Sequence, residues 1–238
     1  MNWLARLLRR APVLDAGHIA ALDAYRSREK PDLRSPLTGQ RLVVVDVETS
    51  GLDPHGDRLI SIGAVTVSRG LVRFDESFEA VLRQALPSER ENILVHGIGG
   101  SAQLTGREPA AALLDFLAFA GKVPLVAFGA DFDRTVIERA TSSVLGIKPD
   151  NPWLDLALLL PILFARQAGA AHTLDDWTRV FGIDNYARHD AVADALATAQ
   201  LLLVLLTKAK QHGAESCADL ARLQKDRSWL GAPAGRYV

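Results

Sequence analysis

The sequence predicts an α/β fold in which helices flank a mixed sheet. Three apolar segments of strand length come first, at Leu42–Val47, Leu59–Ser68 and Leu71–Phe78. Helical and strand-like segments then alternate along the rest of the chain. A hairpin predicts antiparallel pairing, whereas the later alternation predicts parallel strands connected by helices. The two patterns together predict a mixed sheet.

Each predicted strand has its own signal. Leu42–Val47 is a continuous apolar run with one acid in it, as expected for a central strand covered on both faces. Arg69-Gly70, between the second and third strands, has the composition of a tight hairpin turn. Two short buried strands follow, at Pro124–Phe128 and Trp153–Leu156, so that the predicted sheet has five strands.

The predicted helices have apolar residues at helical spacing. Thr173 is expected to cap one of them, and Gly182 is expected to end it. The helices of the main domain and C-terminus are predicted at Glu108–Ala120, Asp131–Val144, Ala157–Ala165, Thr173–Phe181, His189–Leu206 and Cys217–Lys225.

The N-terminal segment, residues 1–40, is predicted to be a helical arm and linker. Its first helix has an apolar face beside arginines, and a second helix covers about residues 18–28. The residues of that face are Trp3, Leu4, Leu7 and Leu8, flanked by Arg6, Arg9 and Arg10. We interpret the segment as an arm packed on a main domain at 41–207, with a C-terminal helix and tail at 208–238. The alternatives for the arm are a membrane-surface helix or a partner-docking helix.

Composition excludes several classes of protein. A chain of 238 residues, 48% of them hydrophobic, can build one large domain. Its one cysteine, Cys217, cannot form an intramolecular disulfide or a multi-cysteine zinc site. The net charge of −1 argues against a protein that coats long nucleic acids. It is a weaker argument against an enzyme that binds a few nucleotides beside metal ions. We expect a cytoplasmic protein without a membrane span, because Leu201–Leu206 is too short for one.

Asp46 and Glu48 form the first candidate site. They are two residues apart on a predicted strand, so both side chains point to the same face at its C-terminal end. Adjacent carboxylates repel each other unless a divalent ion neutralises them, and oxygen ligands suit Mg²⁺ or Mn²⁺. The alternative is a solvated pair at the end of a strand.

Two further acidic segments follow. After a buried strand, Gly129 turns the chain, and Asp131 or Asp133 begins a helix. Because acids often cap helices, we assign the cap to Asp131 and a function to Asp133. His189 and Asp194, five residues apart, are expected to project near each other at the start of a long helix. Any one segment has a structural explanation, but the three together favour a single site.

These motifs resemble the DEDDh 3′–5′ exonucleases, in particular the proofreading (ε) subunits of bacterial DNA polymerase III and their free-standing relatives. The resemblance covers roughly residues 41–206. It rests on Asp46-x-Glu48-Thr49, Phe132-Asp133 and His189-x-x-x-x-Asp194, with support from Ser50-Gly51-Leu52, Ile60–Ala64, Val95–Ile98 and His172–Leu174. The related tyrosine type has its tyrosine four residues before the last acid. That position is Asp190 here, whereas His189 has the spacing of the histidine type.

The resemblance implies a ribonuclease H-like fold and a metal-dependent 3′–5′ exonuclease with two Mg²⁺ or Mn²⁺ ions. It implies that Asp46 bridges both ions and that Asp133 holds the second one. Glu48 and Asp194 would complete the ion that holds the attacking water. His189 would accept the proton of that water.

The resemblance also suggests substrate contacts. Thr49, Gly51 and Leu52 would hold the terminal nucleotide, with Leu52 wedged against the last base. His96 either contacts nucleotide or packs. Phe128 replaces part of a polar pair usual in the family, and it is either a platform for a base or a core residue.

The resemblance favours the single-stranded or frayed 3′ end of DNA as substrate. An RNA-trimming or oligoribonuclease-type enzyme is the alternative. Another is a proofreading subunit that docks on a polymerase or other protein partner. Residues 208–238 resemble a packed helix with an aromatic end, Trp229 and Tyr237, more than a docking linker. This favours a free-standing enzyme.

Overall fold

Five strands form one mixed sheet in the computed structural model, which describes residues 14–229. The strands are β1 (Arg41–Thr49), β2 (Leu59–Ser68), β3 (Leu71–Val81), β4 (Leu125–Ala127) and β5 (Trp153–Asp155). Their order is β3-β2-β1-β4-β5, with β1, β2 and β3 antiparallel and β1, β4 and β5 parallel. The predicted mixed sheet is confirmed, including the hairpin at Arg69-Gly70, where both residues have positive φ.

Helices cover the sheet on both faces. They are α1 (Ala16–Arg26), α2 (Arg90–His96), α3 (Gly100–Thr105), α4 (Pro109–Ala120), α5 (Ala130–Val144), α6 (Leu156–Leu163), α7 (Leu174–Phe181), α8 (Ala191–Gln211) and α9 (Cys217–Trp229). Thr173 caps α7 in a capping box with Asp176, and Gly182 ends it in the left-handed conformation, as predicted. Helices α2 and α3 were not predicted, because each buries only one residue, His96 or Gln103, and so lacks an apolar pattern.

Two predicted helix starts are wrong. Helix α8 begins at Ala191, because Asp190 caps it by accepting hydrogen bonds from the backbone of Val192 and Ala193. His189 therefore lies in the preceding turn, with a φ of 63°. Asp131 is not the cap of α5, because that position belongs to Gly129 and Asp131 lies inside the first turn.

The core has two layers, one on each face of the sheet. Val43 and Val45 of β1 pack towards α4 and α5, whereas Leu42 and Val44 pack towards α6, α8 and α9. Alternation along the strand places Asp46 and Glu48 on the face of Leu42 and Val44, which is the face that α8 covers.

The described part of the N-terminal arm packs on the domain. Helix α1 buries Leu22 and Tyr25 against α4 and its neighbours, and Arg28 Nη1 donates a hydrogen bond to the Ala118 carbonyl over 2.6 Å. The first predicted helix of the arm and Tyr237 lie outside the described residues. The division of the chain at 40 and 207 stays a prediction, and α8 runs through residue 207 to Gln211.

Helix α8 is long and apolar enough to cross a membrane by length and composition alone. Half of its most apolar window is buried inside the protein, where it packs on β1 and β2. A core helix has the same composition, and we interpret α8 as one.

Candidate active site

Four acids converge where α8 and α5 begin beside the C-terminal half of β1. Asp46 and Glu48 come from β1, Asp133 from the first turn of α5 and Asp194 from the first turn of α8. Asp133 and Asp194 are almost completely buried. Ligand atoms of Glu48, His189 and Asp194 lie within 4.8 Å of one another. The three segments that the sequence singled out thus meet at one place.

The pKa values of three of these acids are raised. Burial, followed by the charges of Asp133, Asp194 and Glu48, holds the pKa of Asp46 well above its usual range. Burial and the Asp194 charge raise the pKa of Glu48 to about 8. Burial likewise raises the pKa of Asp133 well above normal. Without cations, the protonated forms of Asp46, Glu48 and Asp133 are therefore favoured.

Asp194 is held by the turn that precedes α8. Its Oδ1 accepts a hydrogen bond from Asn185 Nδ2, and its Oδ2 accepts one from Arg188 Nη1. The His189 backbone N–H also donates to Oδ2, over 3.1 Å. The positive φ of His189 turns the chain so that consecutive residues, Arg188 and His189, both reach the same carboxylate. His189 and Asp194 are therefore neighbours through this turn and not through helical periodicity.

Gly63 permits the close approach of α8. It pairs with Asp46 across β1 and β2. A Cβ atom at Gly63 would lie 2.2 Å from the carbonyl carbon of Ala191 and 2.4 Å from the nitrogen of Val192. A glycine inside a strand commonly marks such an approach. The absence of a side chain here lets the first turn of α8 lie directly on the sheet beside the acids.

A loop built on Asp57 presents Leu52. Asp57 accepts hydrogen bonds from the Ser50 hydroxyl and the Asp53 backbone, both over 2.9 Å. A Cβ atom at Gly51 would lie 2.5 Å from Asp57 Oδ2, so a side chain there would force the Asp57 carboxylate to move. Thr49 Oγ1 donates to the Gly51 carbonyl. Leu52 is left 69% exposed at the end of the loop.

His96 is buried and both of its ring nitrogens have partners. Nδ1 accepts a hydrogen bond from the Ile98 backbone over 2.9 Å, so Nε2 carries the proton and donates to Asn92 Oδ1 over 2.9 Å. Burial lowers the pKa of His96 and keeps the ring neutral. These contacts favour a packing role in the turn between α2 and α3, and a nucleotide contact stays a prediction.

Phe128 is partly buried against the core layer that contains α8. The adjacent Gly129 has a φ of 82° and donates its N–H to Asp155 Oδ1 over 2.9 Å. Burial raises the pKa of Asp155 to about 6 despite this hydrogen bond. The position favours a core role for Phe128, and a contact with a base stays a prediction.

The donor set fits divalent cations. Carboxylate oxygens are the ligands that Mg²⁺ and Mn²⁺ prefer, and cations would offset the burial and repulsion that raise the pKa of Asp46 and of Glu48. Asn185 Oδ1 is buried and has no hydrogen-bond partner among the described residues. A hydrated ion would supply a donor for that oxygen as well as positive charge for the acids.

Several residues of the site were missed by sequence reasoning. Arg188, Asn185 and Asp57 carry no motif of their own. Arg188 stands next to His189 in the sequence, and that adjacency was the one available signal. The Asp155 side chain supports the turn at Gly129 from the neighbouring strand, which only the sheet order reveals.

The chain belongs to the exonuclease family (RNase_T), whose profile matches residues 43–202. It is 35% identical over 191 residues to the DNA polymerase III subunit epsilon-like protein of Rhodobacter capsulatus, covering 79% of this chain and 27% of that protein. It is 30% identical over 183 residues to the PolC-type DNA polymerase III of Thermotoga maritima, covering 76% of this chain and 13% of that protein. The chain thus spans about a quarter or less of these relatives.

Solved structures show the same fold. E. coli Exonuclease I in complex with a dT13 oligonucleotide superposes with a TM-score of 0.63 at 21% identity, covering 72% of this chain and 42% of that one. Exonuclease X in complex with 5′ overhanging duplex DNA gives a TM-score of 0.62 at 19% identity, covering 77% of this chain and 99% of that one. The predicted exonuclease family and ribonuclease H-like sheet are confirmed.

Proposed function

We propose that this protein is a metal-dependent 3′–5′ exonuclease of the DEDDh type that releases nucleoside 5′-monophosphates. The observation that carries the proposal is the convergence of Asp46, Glu48, Asp133 and Asp194 with His189 beside the end of β1. The raised pKa values of Asp46 and Glu48, which burial and the neighbouring carboxylates cause, support a cation-binding role.

Asp46, Glu48, Asp133 and Asp194 would hold two Mg²⁺ or Mn²⁺ ions. When bound, these ions would orient the scissile phosphate, lower the pKa of the attacking water and stabilise the leaving oxygen. We propose that His189 accepts a proton from that water, and its position in a turn with ligand atoms of Glu48 and Asp194 within 4.8 Å supports this role. The Asp57 loop and Leu52 would contact the terminal nucleotide, because an exposed aliphatic side chain beside the site can pack on a base.

Single-stranded or frayed DNA is the favoured substrate. Support comes from the fold shared with E. coli Exonuclease I, which was solved with a dT13 oligonucleotide. RNA is the alternative, since recognition of the 2′-hydroxyl is not encoded in any motif of the chain. We place the enzyme in the cytoplasm.

A role beside a polymerase is the second candidate. Two relatives are named as DNA polymerase III proteins, and this chain covers only part of each. Copurification with a polymerase from the native organism at physiological salt would support that role. A protein that is active and always recovered alone would support a free-standing enzyme.

The deciding experiment compares 3′-labelled and 5′-labelled single-stranded DNA, duplex DNA and short RNA, each with Mg²⁺, Mn²⁺ or EDTA. A 3′–5′ enzyme releases 3′-label at once as mononucleotide and shortens 5′-labelled strands in single-nucleotide steps. Release of the 5′-label first, or hydrolysis that survives thorough chelation, would contradict the proposal.

A further inference from the structure

Arg188 places a positive charge on a carboxylate that is a candidate metal ligand. Its Nη1 donates to Asp194 Oδ2, and the Asp194 side chain is only 4% exposed. Arg188 is also the cation that lowers the pKa of both Asp46 and Glu48, against the stronger effect of burial. Arg188 is therefore a counter-ion to three of the four acids, Asp46, Glu48 and Asp194.

A second acid anchors the same guanidinium. Arg188 Nε lies 2.6 Å from Oδ1 of Asp175, which belongs to the first turn of α7. The contact lacks hydrogen-bond alignment, so we treat it as an ion pair. Asp175 is half-exposed and lies outside the acidic cluster. If Arg188 left Asp194, this pair would keep the guanidinium beside the site.

A metal ion and Arg188 would both interact with the carboxylate of Asp194. Asp194 Oδ1 faces Asn185, and Oδ2 is covered by Arg188 and by the His189 backbone. An ion held between Glu48 and Asp194, whose ligand atoms lie within 4.8 Å of each other, would repel the guanidinium that donates to Asp194. A guanidinium displaced in this way is well suited to a phosphate, which its fork of donors matches in geometry and charge.

We propose that Arg188 is a movable counter-ion. It neutralises Asp194 in the metal-free protein, and after ions replace it there it binds a phosphate oxygen of the nucleotide. This inference rests on the proposed function, because it requires that the acids hold metal. It predicts that removing Arg188 affects two ligands in opposite directions, which a merely structural residue would not do.

The test is calorimetric titration of the full-length chain with Mn²⁺ and then, at saturating Mn²⁺, with thymidine 5′-monophosphate. Arg188→Gln should bind Mn²⁺ on the order of tenfold more tightly and the nucleotide on the order of tenfold more weakly, since hydrogen bonds to charged groups contribute at about this level. Arg188→Lys keeps the charge but not the fork of donors. Its affinities for Mn²⁺ and for the nucleotide should lie between those of the wild type and those of Arg188→Gln. Arg179→Gln is the control. It removes an exposed ion pair within α7, in which Arg179 Nη1 lies 3.2 Å from Asp176 Oδ1, and it should change neither affinity.

The outcomes separate the two proposals. Wild-type protein that binds no Mn²⁺ would overturn the proposed function, and the counter-ion with it. If the wild type binds Mn²⁺ and both Arg188 variants are folded but bind Mn²⁺ no more tightly than the wild type, only the proposal that Arg188 is a counter-ion would be overturned. Tighter Mn²⁺ binding with unchanged nucleotide binding would overturn the transfer to phosphate.

Discussion

Gly63 of β2 lies against the backbone of Ala191 so closely that a Cβ atom would come within 2.2 Å of its carbonyl carbon. Because the contact is with backbone at the start of a helix, no flexible side chain can move aside. The first turn of α8 carries Asp194, and Gly63 itself pairs with Asp46. The absence of a side chain at Gly63 thus lets the helix that carries Asp194 lie against the strand that pairs with Asp46.

We expect Gly63→Ala to damage the site as well as the fold. Overpacking should lower the free energy of unfolding by about 1–3 kcal/mol. Displacement of the α8 start should also reduce turnover by more than roughly tenfold, because a misplacement of about 1 Å costs up to about 100-fold. Gly169→Ala is the control, since nothing lies within 4 Å of that position. A Gly63→Ala protein with wild-type turnover would show that this contact does not position Asp194.

Much of the fold could be predicted, because its signals are local. The apolar run of β1, the Arg69-Gly70 turn and the cap at Thr173 are each visible in a few residues. Helices α2 and α3 could not be predicted, since they are held by polar contacts such as that of Gln103 Oε1 with the Ser88 backbone.

The site was predictable only in part, for the same reason. The four acids and His189 stand in recognisable motifs, but the partner of Gly63 is more than 120 positions away in the chain. The contact of Arg188 with Asp194 depends on the positive φ of His189, which the sequence does not mark with a glycine or asparagine. Long-range packing and an unusual turn therefore complete a site whose acids are visible in the sequence.

We expect Asp46→Asn to abolish activity while stabilising the metal-free protein. The change removes an acid whose ionised form is disfavoured in the folded protein by burial and by the neighbouring carboxylates. The melting temperature in EDTA should rise slightly. Hydrolysis should fall by more than roughly 100-fold, because mutation of residues that only hydrogen-bond to metal ligands already costs up to about 100-fold. Asp131→Asn is the control, because that acid is exposed in the first turn of α5. A melting temperature that falls by many degrees would instead identify Asp46 as a structural acid.

Stability without metal should depend on pH through Glu48. Its pKa is raised to about 8 in the folded protein from an ordinary value of 4.5. The folded state therefore holds a proton between these values that the unfolded state has lost, and stability should fall as pH rises from about 5 to about 8.

The check is the melting temperature across that range in EDTA, for wild type and Glu48→Gln. The slope should be shallower in the variant, and saturating Mn²⁺ should reduce or reverse it in the wild type, because the ions bind the ionised carboxylates. Glu29→Gln, at an exposed position, should keep the wild-type slope. Equal slopes for wild type and Glu48→Gln would mean that Glu48 is ionised throughout.

Replacement of His189 tests the proton acceptor. Its φ of 63° strains most side chains, but asparagine tolerates this region, so His189→Asn removes the base with less disturbance than alanine. Turnover should fall by about 10²–10⁴-fold, the usual share of a positioned base. The deficit should shrink at high pH, where hydroxide replaces the base.

Metal affinity distinguishes the two roles open to this histidine. Ligand atoms of Glu48, His189 and Asp194 lie within 4.8 Å, a spacing that also suits a metal ligand. If His189 is the base, His189→Asn should bind Mn²⁺ almost as wild type does, because the acids remain. A large loss of Mn²⁺ affinity would make it a ligand instead.

His189→Tyr should restore little activity, since the tyrosine type places its ring one residue later, at the position of Asp190. A His189→Asn enzyme with wild-type turnover at neutral pH would remove the histidine from the mechanism and, with it, the assignment to the histidine type.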